Sequence, residues 1–235
     1  MVADDKTREL MDAMTDQGAD GSQVAQTLMA MQQTEGLKGA EKTIAKRNAI
    51  ADSGLEDEFK HQLYREKVSD SKESEIAEFR AANMDIDTFL NVQNEYSRIN
   101  AQEGKKASQK AQDFSYWLEK QDLTKRQKDV ARDCFTYYSM VPANAKWFNS
   151  AVDAGCDPDI TYEVINKISG LQPKAGQKSV SDGQKLQVIV ESGLPEKQQM
   201  ELIQHISVTD KMKKRLPILV DYGVSIKKQA AFWNK

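Results

Sequence analysis

The sequence predicts an all-α fold, arranged as a helical-repeat, solenoid-like array with about four short helices in each repeat of about 68 residues. Three observations predict it: a glycine or asparagine marker that recurs along the chain, a second marker built around a leucine, and apolar residues at helical rather than strand spacing. We expect one domain over residues 1–235, with repeats at about 18–82, 83–154 and 155–222 and partial repeat elements at 1–17 and 223–235.

The first marker is a corner between two helices. Gly18, Asn83, Gly155 and Gly223 stand 65, 72 and 68 residues apart, each at the end of an amphipathic run. Glycine and asparagine most readily take the left-handed conformation that closes a helix. Two residues later comes a residue suited to cap the next helix, namely Asp20, Asp85, Asp157 or Ser225. The stretch AGCDPDI therefore predicts a helix end, a tight corner and a helix start.

A functional interpretation of the same acids remains an alternative. Asp85 with Asp87, and Asp157 with Asp159, have the spacing of paired carboxylates that bind a metal or exchange a proton. The acidic turn DQGADGS resembles a calcium loop, but Thr27 stands where that loop needs a closing glutamate. We therefore favour capping and expect no metal and no cofactor.

The second marker is a leucine that follows a short polar break. Leu55, Leu123 and Leu194 each precede a pattern typical of a helix start, and an apolar residue lies five positions before each. These earlier residues are Ile50, Leu118 and Ile189, so the spacing predicts a core position in every copy.

Four helix types, which we call D, A, B and C in chain order, account for the apolar residues between the markers. The chain runs D-A-B-C three times and ends with a fourth D and the start of a fourth A. Each predicted helix is near or below the length of about 12 to 15 residues that is marginally stable alone, so packing against neighbours must stabilise it.

Composition excludes several classes of protein. Hydrophobic residues make up 39% of the chain, charged residues 29%, and 33 basic residues nearly balance 36 acidic ones. The chain therefore lacks the overall positive charge that would indicate nucleic acid as a partner. Cys134 and Cys156 do not form a disulfide framework. The acidic start MVADDKTREL does not resemble a signal peptide, so we expect no secretion by that route and no membrane-spanning segment.

Catalytic motifs are missing from the sequence, and we expect no enzymatic activity. Cys134 paired with His61 or His205 is an alternative, but none of the three lies in a nucleophile motif. The aromatic residues Trp117, Trp147, Tyr116, Tyr137 and Tyr138 would form a base-stacking platform if exposed, but their helical spacing favours core packing.

The loops between helices A and B are rich in lysine in all three copies, reading EGLKGAEK, EGKKASQK and QPKAGQK. Equivalent loops of a stacked repeat lie along one edge, so a basic stripe is predicted there as a polyanion-binding site. Its residues are Lys38, Lys42, Lys105, Lys106, Lys110, Lys174 and Lys178. The simpler alternative is that these lysines only keep the turns soluble.

Apolar residues near both ends of the chain predict a protein interface. They are Leu10, Met11 and Met14 in the first helix and Phe232 and Trp233 in the last. We expect other protein subunits to cover them, in an oligomer or a larger assembly.

One copy, MDIDTFLNVQNEYSRINAQEGKKASQKAQDFSYWLEKQDLTKRQKDVARDCFTYY, resembles helical repeats of the large virion-associated, polyvalent-type proteins of tailed phages and prophages of Gram-positive bacteria. The shared features are a helix, a Lys/Gly/Ser loop, a helix ending near WL, and then LT and QK. The resemblance is best over 84–138 and fainter over 156–206 and 20–68.

This resemblance implies a noncatalytic structural protein of a phage virion, assembled in the bacterial host cytoplasm. It would act through protein–protein assembly, as an internal, ejected or portal- or tail-adjacent component in contact with packaged nucleic acid. The alternative function is a nucleic-acid or polyanion-binding module that uses the lysine-rich loops.

Overall fold

The structure, a computed structural model, describes residues 5–69, 72–135, 143–206 and 208–233. Over these ranges the chain forms fourteen α-helices, a short 3₁₀ turn at Thr34–Gly36 and no β-strand, which confirms the all-α prediction. The helices are α1 (Asp5–Asp16), α2 (Gly21–Gln33), α3 (Gly39–Ala51), α4 (Asp57–Lys67), α5 (Glu73–Ala81), α6 (Ile86–Asn100), α7 (Ala107–Glu119), α8 (Lys125–Phe135), α9 (Ala143–Asp153), α10 (Pro158–Gly170), α11 (Asp182–Val190), α12 (Glu196–His205), α13 (Asp210–Asp221) and α14 (Ile226–Trp233).

The four predicted corners share one backbone geometry. Each marker residue has a positive φ, including Asn83 at 58°, the single non-glycine residue with positive φ among those described. The residue after each marker donates its N–H to the carbonyl five positions back, as in Ala19 to Met14 and Met84 to Phe79, both at 3.0 Å. The same bond joins Cys156 to Ala151 and Val224 to Leu219. All four corners are thus Schellman-type helix ends.

The predicted helix caps are also confirmed for the three aspartates. Asp20 accepts hydrogen bonds from the backbone N–H groups of Ser22 and Gln23, and Asp157 accepts from those of Asp159 and Ile160. Asp85 accepts from Thr88 N at 2.7 Å. Each carboxylate satisfies backbone donors that the first helical turn leaves free.

The chain divides into two compact units. Unit 1 comprises 1–104 and 122–137, and within its described part α3 packs on α4 and α6 while α5 packs on α6 and α8. Tyr64, Phe79 and Phe89 form its aromatic centre, with Phe89 edge-to-face on Tyr64 (5.6 Å between centroids) and on Phe79 (5.1 Å). All three side chains are fully buried.

Buried cations of unit 1 include Arg47 and Lys60, and hydrogen bonds hold both side chains. The Arg47 guanidinium donates to Gln93 O at 3.2 Å and to Ser97 Oγ at 2.9 Å, tying α3 to α6. Burial lowers the pKa of Arg47. Lys60 donates to Asp87 Oδ2 at 2.6 Å, which ties α4 to the first turn of α6. These bonds offset part of the cost of removing charge from water.

Unit 2 comprises 105–121 and 138–235. Within its described part α7 packs on α9 and α10, α11 packs on α12 and α14, and α9 packs on α12. Its core includes Leu186, Ile189, Leu202 and Leu216, all with no exposed surface. The predicted core positions Ile50, Leu118 and Ile189 are fully buried in their respective units. None of the described helices is long and apolar enough to cross a membrane.

Candidate interaction surface

The lysines of the predicted basic stripe lie in loops and first helical turns, and several are engaged locally. Lys42 and Lys46 both pair with Glu35, Lys46 at 3.1 Å, and these bonds lower the pKa of that carboxyl group. Lys105 pairs with Asp113 Oδ2 at 2.6 Å. Lys110 and Lys174 also interact with other groups of the chain, while Lys38, Lys106 and Lys178 are exposed.

Lys38 and Lys42 belong to unit 1, and the other five predicted lysines belong to unit 2. Their alignment in one row therefore stays a prediction. Local acids neutralise Lys42 and Lys105, which weakens the positive potential that a polyanion site would need.

Two tyrosines tie α7 to α10 and involve part of the predicted aromatic platform. The rings of Tyr116 and Tyr162 stack with centroids 4.3 Å apart. Tyr116 donates to Asp159 Oδ1 and Tyr162 donates to Asp113 Oδ1, both at 2.6 Å. Burial and the bond to Asp113 raise the pKa of Tyr162 to about 12. Each hydroxyl already has a carboxylate acceptor, and each ring has a stacking partner.

The remaining aromatic candidates are packed or lie outside the described residues. Trp117 stacks on the buried Phe114 at 6.1 Å between centroids, and Trp147 packs against the core of unit 2. Tyr137 and Tyr138 lie outside the described residues. We therefore find no open stacking face at Trp117, Trp147 or Tyr116.

The acid pairs that would have formed a metal site have other partners. Asp85 and Asp157 each cap a helix. Asp87 forms an ion pair with Lys60. Asp159 accepts a hydrogen bond from Tyr116 and forms an ion pair with Lys120 at 2.5 Å. No group of three metal-binding side chains occurs in the described part of the chain.

The two thiols are buried and protonated at neutral pH. Burial raises the pKa of Cys134 to about 12, helped by Glu78, whose Oε2 accepts from Sγ at 3.4 Å. Burial raises the pKa of Cys156 to about 11. Because the thiolate is the nucleophile, both environments oppose nucleophilic reactivity.

The residues predicted as an interface differ in exposure. The prediction is wrong for Met14, which is fully buried and therefore belongs to the core. Leu10 and Met11 are half-buried. Phe232 is 70% exposed and lies edge-to-face on Trp233 at 5.6 Å. Trp233 is half-buried against the core of unit 2 and lines a cavity of about 160 Å³ beside α13.

An exposed face of α13 was not predicted from the sequence. Lys211, Lys214, Arg215, Ile218 and Tyr222 recur at i, i+3, i+4, i+7 and i+11, which places them on one side of the helix. Ile218 is 54% exposed and Tyr222 is 82% exposed, whereas Met212, which packs into the core of unit 2, is 4% exposed. We call these five residues the α13 stripe. Its period was readable in the sequence, but its exposure depends on which neighbours pack there.

Comparison with known proteins gave no relative, since no protein-family model, no curated protein and no solved structure matches the chain.

Proposed function

We propose that this chain is a noncatalytic helical-repeat protein that acts through protein–protein assembly. The observation that carries the proposal is the α13 stripe, where large apolar side chains stand exposed at positions that contact another helix elsewhere in the chain.

The repeat assignment is part of the proposal. The D helices are α1, α5, α9 and α13, and the A helices are α2, α6, α10 and α14. The B helices are α3, α7 and α11, and the C helices are α4, α8 and α12.

Equivalent helix pairs support the repeat assignment. Each B helix packs on the A helix of the following copy, as α3 on α6, α7 on α10 and α11 on α14. D and C helices of one copy also pack together, as α5 on α8 and α9 on α12. Because each of these pairs lies within one unit, the correspondence does not depend on how the units are arranged.

Equivalent hydrogen bonds support it at the level of single atoms. Gln127 Nε2 of α8 donates to the corner carbonyl of Asn83 at 3.2 Å, and Gln198 Nε2 of α12 donates to that of Gly155 at 3.0 Å. Each glutamine lies four residues after its marker leucine. In both copies, a glutamine of the C helix thus donates to the carbonyl at the D–A corner of the same copy.

Ile218 and Tyr222 of the α13 stripe stand at positions whose equivalents in the second copy contact a C helix. Ile218 corresponds to Glu78, five residues before the corner, whose carboxylate accepts from Cys134 of α8. Tyr222 corresponds to Ala82, which is 6% exposed and whose carbonyl accepts from Gln127 of α8. An exposed tyrosine and isoleucine in place of these residues mark α13 as a surface for a further protein.

The double variant Ile218→Ser, Tyr222→Ser tests the proposal. We expect light scattering after size exclusion to give a wild-type mass that rises above 26.5 kDa with protein concentration. The variant should stay near that mass, because burial of the two side chains contributes about 1.5 to 3 kcal/mol each.

Leu37→Ser, Met29→Ser is the matched control, since both residues are large, apolar and exposed, at 41% and 49%, but lie far from α13 in the sequence. This control should associate as the wild type does. A wild-type chain that stays at 26.5 kDa at every concentration would contradict the proposal.

We further propose the virion of a tailed phage as the setting of this assembly. The support is the resemblance of 84–138 to repeats of virion-associated proteins, together with the absence of any activated nucleophile at Cys134 or Cys156.

A further inference from the structure

The first and last helices carry opposite charge. On α1, Asp5, Glu9, Asp12 and Asp16 recur at i, i+4, i+7 and i+11, and all four are exposed. We call these residues the α1 stripe. Asp5 lies 4.0 Å from Arg8, while Glu9, Asp12 and Asp16 have no ion-pair or hydrogen-bond partner for their side chains in the described chain. Helical spacing places the stripe opposite the buried Thr7 and Met14.

The α13 stripe is its opposite in sign. Lys211, Lys214 and Arg215 are exposed, and no carboxylate of the described residues pairs with them. Lys227 and Lys228 of α14 are exposed as well. Together α13 and α14 carry six basic residues and two acidic ones, whereas α1 carries four acidic and two basic ones.

We propose that the α13 stripe of one copy binds the α1 stripe of a second copy, so that the chain associates head to tail. This inference rests on the proposed assembly function and names its partner. In each stripe the first and last residues are eleven positions apart, about 16 Å along a helix, so the two match in length. Opposite charges steer such surfaces together and fix their register.

Apolar contact complements the charges. Ala13 is exposed and lies four positions after Glu9, so it borders the α1 stripe. Leu10 is half-buried and lies between Ala13 and the buried Met14 on the helix surface. They offer apolar surface for Ile218 and Tyr222 of the other copy. The predicted interface residue Leu10 therefore takes part, while Met14 supports the helix from beneath.

A symmetric alternative is disfavoured by charge. Two copies of the α13 stripe facing each other would place lysines and arginine against lysines and arginine, and like charges across an interface oppose association. A head-to-tail contact is heterologous, so it extends into a filament or closes into a ring.

Charge reversal at each end provides the test. The head variant is Glu9→Lys, Asp12→Lys and the tail variant is Lys214→Glu, Arg215→Glu, all at exposed positions without ion-pair partners among the described residues. We expect each variant alone to associate at least about tenfold more weakly than the wild type in low salt. The control Glu41→Lys, Glu103→Lys reverses two exposed acids elsewhere and should leave association unchanged.

Mixing the two variants distinguishes a specific contact between the two stripes from a general effect of the changed net charge. An equimolar mixture of head and tail variants should regain wild-type mass by sedimentation velocity, because each reversed end then meets an opposite charge. A single chain carrying all four changes should also regain self-association.

The contradicting outcomes are distinct. Wild-type association that both variants retain, or a mixture that is not restored, overturns the head-to-tail contact and leaves the assembly function standing. A monomeric wild type overturns both proposals. A monomeric wild type that binds a DNA duplex through Lys214 and Arg215 identifies a polyanion, rather than a second copy, as the occupant and also overturns the inference.

Discussion

Phe89→Ala is expected to lower the free energy of unfolding by about 3 to 5 kcal/mol. Phe89 has no exposed surface and contacts two other buried rings, Tyr64 and Phe79, in edge-to-face geometry. Truncation removes the buried ring and leaves a cavity between α4, α5 and α6, which these rings join. Urea denaturation followed by circular dichroism measures the loss as a shift in midpoint.

The control for this prediction is Met29→Ala in the same unit. Met29 is 49% exposed, so its truncation should change stability by no more than about 0.5 kcal/mol. A loss below about 1 kcal/mol for Phe89→Ala would contradict the assignment of this cluster as the centre of unit 1.

The native thiols should react far more slowly than ordinary cysteines. With its pKa raised from 9.0 to about 12, Cys134 at pH 8 has about a thousandfold less thiolate than an exposed thiol. For Cys156, with a pKa of about 11, the reduction is about a hundredfold. Alkylation by iodoacetamide, followed by mass spectrometry on Cys134→Ser and Cys156→Ser chains, measures each thiol separately.

Denatured protein provides the reference rate in that experiment. Fast alkylation of the folded chain would contradict the structure and would restore the catalytic interpretation of Cys134.

The raised thiol pKa values also predict that stability depends on pH. Both thiols have a higher pKa in the folded chain than in the unfolded chain, so their contribution to the free energy of unfolding is complete below pH 9. That contribution is lost as the pH rises toward 12.

Local backbone features of this chain were predictable from the sequence because they depend on residues close together. Gly18 and Asn83 required a left-handed conformation, and Asp85 and Asp157 were placed to accept N–H groups within three residues. The buried positions Ile50 and Ile189 followed from spacing alone. All of these were confirmed.

Features that depend on distant neighbours were not predictable. Met14 has the same local pattern as Leu10 and Met11, yet its neighbours bury it completely. Lys105 could be placed in a basic loop, but its partner Asp113 lies eight residues away on the next helix. The exposure of the α13 stripe could not be predicted, because an apolar residue at helical spacing is usually covered by another helix.

Hydrogen–deuterium exchange of the wild-type chain, measured below and above the concentration at which its mass rises, tests assembly through these surfaces most directly. We predict slower exchange in peptides covering 5–16 and 210–222 in the associated state, with no change over 86–100. Protection confined to the lysine-rich loops at 35–42, 103–110 and 172–178, or exchange that does not change anywhere, would contradict the account.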